Sequence, residues 1–429
     1  MKLNYKRTLL IGTAFLSICA FSQMYDGIIP LILKNTFDLG EFTTGIIMAL
    51  DNVLALFMLP LFGHLSDKTH TRIGKRMPYI VVGTVIAVAS MIFLPIFDNS
   101  VNFIGFTVML GIVLLAMSSY RSPAVSLMPD ITPKKLRSEG NAVINLMGAV
   151  GGVIALALIS ILVPKTEKPD YLLLFIAVAA IMVVSVILLV LTVNENKLVE
   201  ECRESGGYES TDEELNEELS KGKKLPKDIF KSLVFMLLSI GFFFAGYNAV
   251  STFFSLYMTN YLGTKGGDFA NYLMISTVSA VICYIPAGNI AGKIGRKNTI
   301  SIGLFVMAVC FIALSFFKSA GLFMLPFFII IGFGYACVVV NNFPIVWEMS
   351  KGSDIGKYTG YYYTASMTAQ IVTPIIAGYF IETLEKYQVL LPYAAIAMAL
   401  SYLTLLKVKH GDSKPEKPKE KIEVFAGED

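Results

Sequence analysis

The sequence predicts an all-α membrane protein, with twelve transmembrane helices in two pseudo-symmetric six-helix halves. Three observations predict it. The 429 residues are 55% apolar and only 16% charged, too apolar and too charge-poor for a water-soluble chain of this length. The apolar residues gather into twelve runs, each close to the ~20 residues with which a helix crosses a bilayer. The first half of the chain also echoes the second at a nearly constant offset.

The runs lie near 8–33, 42–64, 78–97, 102–128, 141–163, 171–193, 232–259, 269–291, 299–317, 321–349, 358–381 and 388–407. Several are long enough to tilt or to project beyond the bilayer. Lys2, Lys6 and Arg7 precede the first run. It is too long for a signal-peptide core and reads as a retained span. Residues 194–231 are acidic from Glu195 to Glu218 and basic from Lys221 to Lys231. No core can be built from such a stretch, so it is expected to be a cytoplasmic linker, with a surface helix around 211–222. The charged, Pro-containing tail is expected to be disordered. The domain plan is therefore an N-terminal half (1–193), a linker (194–231), a C-terminal half (232–407) and a tail (408–429).

Orientation follows from lysine and arginine. With the N-terminus cytoplasmic, 28 of the 35 fall on the cytoplasmic side. Lys34, Lys165, Lys168, Lys265, Lys318 and Lys386 fall outside, and Arg121 lies within a span. Both termini are thus expected in the cytoplasm, with the protein multi-pass in the cell membrane.

The repeat shows in three places. LSICAFSQMYDG (16–27) matches LSIGFFFAGYNA (238–249), placing Tyr25-Asp26 on Tyr247-Asn248. Pro123, Val125 and Met128 match Pro344, Val346 and Met349. The basic loop after Pro60 is echoed after Pro286 by Lys293, Gly295, Arg296 and Lys297. Parallel halves related by an axis along the membrane normal place a substrate near the midplane between them.

Ionisable groups inside a bilayer are costly, so each is a functional candidate. Asp26, beside Gln23 and Tyr25, lies roughly 14 Å inside the outer end of helix 1 at the helical rise. It reads as a proton carrier or sugar-hydroxyl acceptor, or else as a capped structural acid. Asp51 lies at about the same depth on helix 2. It shares a proton or cation with Asp26, or makes an interhelical hydrogen bond. Arg121, on helix 4, snorkels to the interface or faces the cavity and binds substrate. A pairing of Arg121 with Glu348 would help close the cytoplasmic side. Trp347, the only tryptophan, reads as an interface anchor or a stacking platform. A sugar site needs amides, carboxylates and an aromatic ring. Gln23, Tyr25, Arg121, Asn145, Tyr247, Asn248, Asn341, Asn342 and Tyr361 to Tyr363 are the candidates. Gly148, Gly151 and Gly152 should let helix 5 approach a neighbour closely.

Cysteines 19, 202, 283, 310 and 337 have no disulfide or metal spacing, and His64, His70 and His410 are scattered. No nucleophile triad or Gly-rich phosphate loop stands out. No enzyme, cofactor, metal site or nucleic-acid partner is expected. The expected partners are a small-molecule substrate, a coupling proton and the lipid bilayer, and the chain is expected to be monomeric.

Residues 50–80 read LDNVLALFMLPLFGHLSDKTHTRIGKRMPYI. A charged turn joins two membrane-length runs there. Gly63, Leu65, Ser66, Asp67 and Lys68, then Gly74, Lys75, Arg76 and Pro78, resemble the signature loop between helices 2 and 3 of the major facilitator superfamily. The long form SDKTHTRIGKRMPYI looks most like the sucrose/proton branch related to the glycoside-pentoside-hexuronide:cation symporters. YRSPAVSLMPDITPKKLRSEGNAVINLMG also resembles helices 4 and 5 of sucrose symporters, with Pro123 and Asp130 the clearest matches. The branch pattern departs in two places. Sucrose symporters carry an arginine after the proline, where Val125 stands here and Arg121 precedes it. The paired aspartates with which melibiose-type symporters hold sodium on helix 2 are absent. Helix 5 also lacks the Gly-Pro pair usual in proton-coupled drug antiporters.

The resemblance implies a secondary active transporter, a proton-coupled sugar or glycoside symporter working by alternating access. Asp26 and Asp51 would couple the proton. Gly63, Asp67, Lys68, Arg72, Gly74 and Arg76, with Arg296 and Glu348 in the echo, would form a conformational gate that latches the outward-open state. The alternatives are a proton-coupled exporter of drugs or metabolites, and a non-transporting sensor that keeps the fold.

Overall fold

A computed structural model describes residues 3–133, 136–166, 168–204, 226–350 and 355–412. Twelve helices in it are long and apolar enough to cross a membrane. In the first part of the chain these are α1 (Tyr5–Asn35), α2 (Glu41–Lys68), α3 (Met77–Asn99), α4 (Phe103–Ile131), α5 (Arg137–Leu162) and α6 (Leu172–Thr192). A short helix, α7 (Glu195–Glu204), follows. Then come α8 (Lys227–Leu256, prolonged by a π-turn to Tyr261), α9 (Phe269–Ile294), α10 (Arg296–Ser315), α11 (Leu325–Ser350), α12 (Ile355–Leu384) and α13 (Leu390–Leu406). Each lies on one of the predicted runs. Most extend a few residues past the apolar stretch, because polar end residues continue or cap the helix. Asn4 and Asn102 are side-chain caps that accept the N–H groups of Arg7 and Gly105.

The chain folds as two compact units. The first contains Met1–Gly40, Leu50–Tyr208 and Gly263–Met274; the second contains Glu41–Ala49, Glu209–Leu262 and Ile275–Asp429. In the first unit α1 packs on α5 and α6, and α3 on α4 and α6. In the second, α8 packs on α12 and α13, and α10 on α11 and α13. The sequence repeat is therefore also a packing repeat.

Small residues and internal polar pairs hold these contacts, since lipid supplies no hydrophobic drive between helices. A Cβ on Gly151 would strike the backbone carbonyl of Leu16, so α5 lies directly on the α1 backbone, as the glycine cluster predicts. The buried Tyr120 hydroxyl donates to Ala14 O at 2.8 Å and contacts Ser17 Oγ at 2.5 Å. Ser239, the repeat counterpart of Ser17, exchanges hydrogen bonds with Ser401: Oγ to O at 2.9 Å and its reciprocal at 2.7 Å.

The stretch after α6 differs from the expected linker. Residues 195–204 are helical, and α7 is seated on the first unit. Glu195 and Cys202 are buried, and Arg7 pairs with Glu201 at 3.5 Å. Its charges read as solvated in sequence, but Glu195 has a buried task described below. The helix expected at 211–222 and all of the tail beyond residue 412 lie outside the described residues.

Candidate functional site

The intramembrane charges of the first unit gather in one place. Tyr25 is buried on α1, and its phenol is within electrostatic reach of Asp51 on α2 and its neighbour Asp26. Asp51 in turn feels the guanidinium of Arg121 on α4. Three helices thus bring two carboxylates, a phenol and one cation together. Tyr25 stacks on Phe21 at 6.0 Å. Gln23 lies against Gly152 of α5, and Asn145 is buried on the same helix.

In the second unit the candidates fall into separate clusters. Tyr247 on α8 packs against Tyr335 of α11 at 4.6 Å and against Phe243. Asn248 and Asn341 each donate to a carbonyl four residues back, Phe244 O and Cys337 O, both at 2.9 Å. That bond satisfies one amide N–H within its own helix and leaves the second N–H and the carbonyl oxygen for other partners. Asn342 is buried. Phe343 stands among Trp347, Tyr362 and Tyr363. Tyr361 is partly exposed, with the Lys357 ammonium 5.9 Å from its ring centre. The Trp347 indole N–H donates to Thr359 Oγ1 at 3.2 Å, so its polar edge is held by protein. Arg121 and Glu348 belong to different units, and each has a charge partner in its own: Asp51 and Arg296.

The charged loop is shorter than the sequence suggests. α2 continues to Lys68, so Gly63, Ser66 and Asp67 are helical and only residues 69–76 connect to α3. Arg76 is its centre. The side chain is buried, and its guanidinium makes four hydrogen bonds. Nε donates to Asp130 Oδ2 at 2.9 Å, Nη1 to Gly63 O at 3.1 Å and to Ser66 Oγ, and Nη2 to Asp67 Oδ1 at 2.5 Å. Lys75 adds a second contact to Asp130 at 3.0 Å. A buried guanidinium is tolerated only when it is paired and hydrogen-bonded in this way. Lys68 and Arg72 are exposed.

Glu195 fixes the loop from the other side. Its carboxylate accepts the backbone N–H groups of Lys75, Arg76 and Met77 at 3.0 to 3.1 Å. These are free donors at the N-terminus of α3, where a negative charge also meets the helix dipole. Gly74 has φ of 123°, a conformation that L side chains rarely adopt. A Cβ there would collide with the Glu195 carboxylate. Asn196 donates to Thr71 O and Arg72 O, both at 3.1 Å.

The second unit builds the same device. Gly295 has φ of 93° and precedes α10. Arg296 pairs with Glu348, at the end of α11, at 3.0 Å. Asp412, beyond α13, accepts the N–H of Lys297 at 2.9 Å. Glycine, arginine, an acid at the end of the fourth helix of the repeat and an acid after its sixth recur in order.

This duplicated loop device on twelve spans agrees with the family comparison. The family model described as Major Facilitator Superfamily matches residues 10–346 and 236–428. The chain belongs to that superfamily. It is a multi-pass integral membrane protein of the major facilitator fold, and its family role is transport of small molecules, not enzymatic catalysis. An uncharacterized transporter of this superfamily from Methanocaldococcus jannaschii, MJ1317, is 22% identical over 94% of both chains. The lincomycin resistance protein LmrB of Listeria monocytogenes is 26% identical over 137 residues. That match covers 31% of this chain and only 28% of the Listeria protein. Among solved structures, the POT family transporter PepTSo superposes with a TM-score of 0.67 at 11% identity, covering 95% of this chain and 98% of its own. A bacterial homologue of the iron transporter ferroportin, inward-facing, superposes at 0.66 and 12%, covering 95% and 99%. At such identities the likeness is one of fold.

The superfamily loop motif made Asp67 and Arg76 legible, but several participants were not. Glu195, Asp412 and Tyr335 carried no local signal. The repeat could have found the first two, because they sit at matching places after the sixth and twelfth spans. Glu41 was also missed. It is buried, accepts from the Tyr387 hydroxyl at 2.6 Å, and lies beside Phe42, whose N–H donates to Glu382 at 2.7 Å.

Proposed function

We propose that this transporter is a proton-coupled symporter of a small polyhydroxylated solute, a sugar or a glycoside, as its likeness to the sucrose/proton and glycoside-pentoside-hexuronide:cation branch suggests. The observation that carries the reading is the group formed by Tyr25, Asp26, Asp51 and Arg121. A carboxylate held away from water favours its protonated form, and a neighbouring cation restores the ionised one. Loading and release of one proton can therefore follow small changes in the distance between Asp51 and Arg121. The same groups offer a sugar hydroxyl both donors and acceptors. The six-helix halves 1–193 and 232–407 would alternate access to the site, with the two arginine loops as gates. In this reading both termini are cytoplasmic, the protein sits in the cell membrane, and it works as a monomer.

Purified protein in liposomes, with a sugar panel and internal pH followed together, tests this. Sugar uptake that acidifies the lumen, and loses that coupling on Asp51→Asn or Asp26→Asn, is expected. Sugar uptake unchanged in both variants would refute the role of the acids. The match to the lincomycin resistance protein favours a second reading, proton-coupled export. It predicts that lincomycin added outside alkalinises the lumen while no sugar moves protons.

A further inference from the structure

A polar cavity lies far along the chain from the intramembrane charges, where α8 begins and α13 ends. Its volume is about 590 Å³, and Lys231, Ser232, Phe235, Lys407, Lys409 and His410 line it. Asp228 is the one acid among the lining residues, so the cavity carries an excess of positive charge. We propose that it is a binding site for a phosphate group, specifically the headgroup phosphate of an anionic phospholipid in the leaflet that holds the described C-terminal end.

The site is held in shape by its own contacts. Ser232 is buried; its hydroxyl shares a 2.8 Å hydrogen bond with His410 Nδ1 and accepts the Lys409 N–H at 3.2 Å. Val408 is buried between the two exposed lysines. Behind it, Lys297 Nζ donates to Leu406 O at 3.1 Å and Val408 O at 2.5 Å. The backbone of 406–409 is thereby pinned while Lys407 and Lys409 stay exposed. Lys407 lies 5.2 Å from the Phe235 ring centre, which orients its stem. No ion pair joins Lys231, Lys407 or Lys409 among the described residues.

Position selects the source of the phosphate. Lys407 directly follows the last span, and Lys231 stands in the first turns of the seventh. Both are at headgroup depth, where basic pockets between helices take anionic lipid heads. On the span side of the cavity Val234 and Leu238 are exposed on α8, and Leu403 and Leu406 on α13. Acyl chains would cover these residues; a free phosphate has no use for them.

Native mass spectrometry of the full chain with phosphatidylglycerol or phosphatidylcholine tests the site, with glycerol phosphate as soluble competitor. Preferential retention of phosphatidylglycerol is expected. It should fall more than tenfold in the triple variant Lys231→Gln/Lys407→Gln/Lys409→Gln, since each lysine near a charged surface accounts for about fivefold. Ser232→Ala, which only unpins the segment, should weaken it less. Equally tight binding of glycerol phosphate would keep the phosphate site and make its source soluble. Equal retention of the two lipids, or no loss in the triple variant, would overturn the proposal. So would phosphatidylglycerol retention that appears only when Glu213, Glu214, Glu217 and Glu218 are replaced by glutamine, because the cavity would then belong to the chain's own acidic segment.

Discussion

Glu195→Gln should loosen the loop between α2 and α3 without changing any charge within it. The carboxylate meets three backbone N–H groups at the start of α3. Glutamine keeps one acceptor oxygen and turns an NH₂ towards donors that need an acceptor. Hydrogen bonds to a charged partner contribute about 1.5–3 kcal/mol, and the helix-dipole interaction about 0.3–1 kcal/mol. Losing one such bond and the dipole term destabilises the docked α7 by about 2 kcal/mol, which raises its undocked population roughly 30-fold. Cys202 reports this directly. It is buried on α7 and reacts with a maleimide only when the helix lifts. In a background where Cys19, Cys283, Cys310 and Cys337 are replaced by alanine, the labelling rate of Cys202 should rise by that factor. Glu195→Asp, one methylene shorter, should behave likewise. A rise below threefold would refute the assignment of Glu195 as the anchor.

Arg76→Lys keeps the charge but cannot span Asp130, Asp67 and Gly63 O together; if the loop gates transport as proposed, uptake in liposomes should fall at least tenfold, whereas a near wild-type rate would refute that role. Gly74→Ala combines a disfavoured φ with a clash against Glu195 and should cost about 2–4 kcal/mol. Gly63→Ala meets only Ser122 Oγ at 3.2 Å, and thermal unfolding in detergent should rank Gly74→Ala well below it. Tyr387→Phe leaves the Glu41 carboxylate short of its 2.6 Å donor and should lower stability by about 1–3 kcal/mol, read as a lower unfolding temperature. Asp412→Ala frees the N–H of Lys297, and proteolysis after Lys407 and Lys409 should accelerate.

The sequence determined the class and the spans of this protein, because the bilayer allows few solutions. Twelve apolar runs of helix length must become twelve helices, and the observed ends shift from the predicted ones only where polar residues cap or continue a turn. The loop was legible for a related reason: Gly63, Asp67, Gly74 and Arg76 are short-range neighbours whose spacing is itself the motif. For the membrane acids, depth could be read along the chain but company could not. Which residues meet was decided by tertiary structure, since the bond of Glu195 to the Arg76 N–H, or the electrostatic reach of Arg121 to Asp51, joins positions far apart in the chain. Charge reads as solvated in a sequence, and only packing shows that Glu195 is buried against free N–H groups that need it. The helix periodicity could not choose between the two faces open to Arg121; the fold set it near Asp51 and gave Glu348 to Arg296.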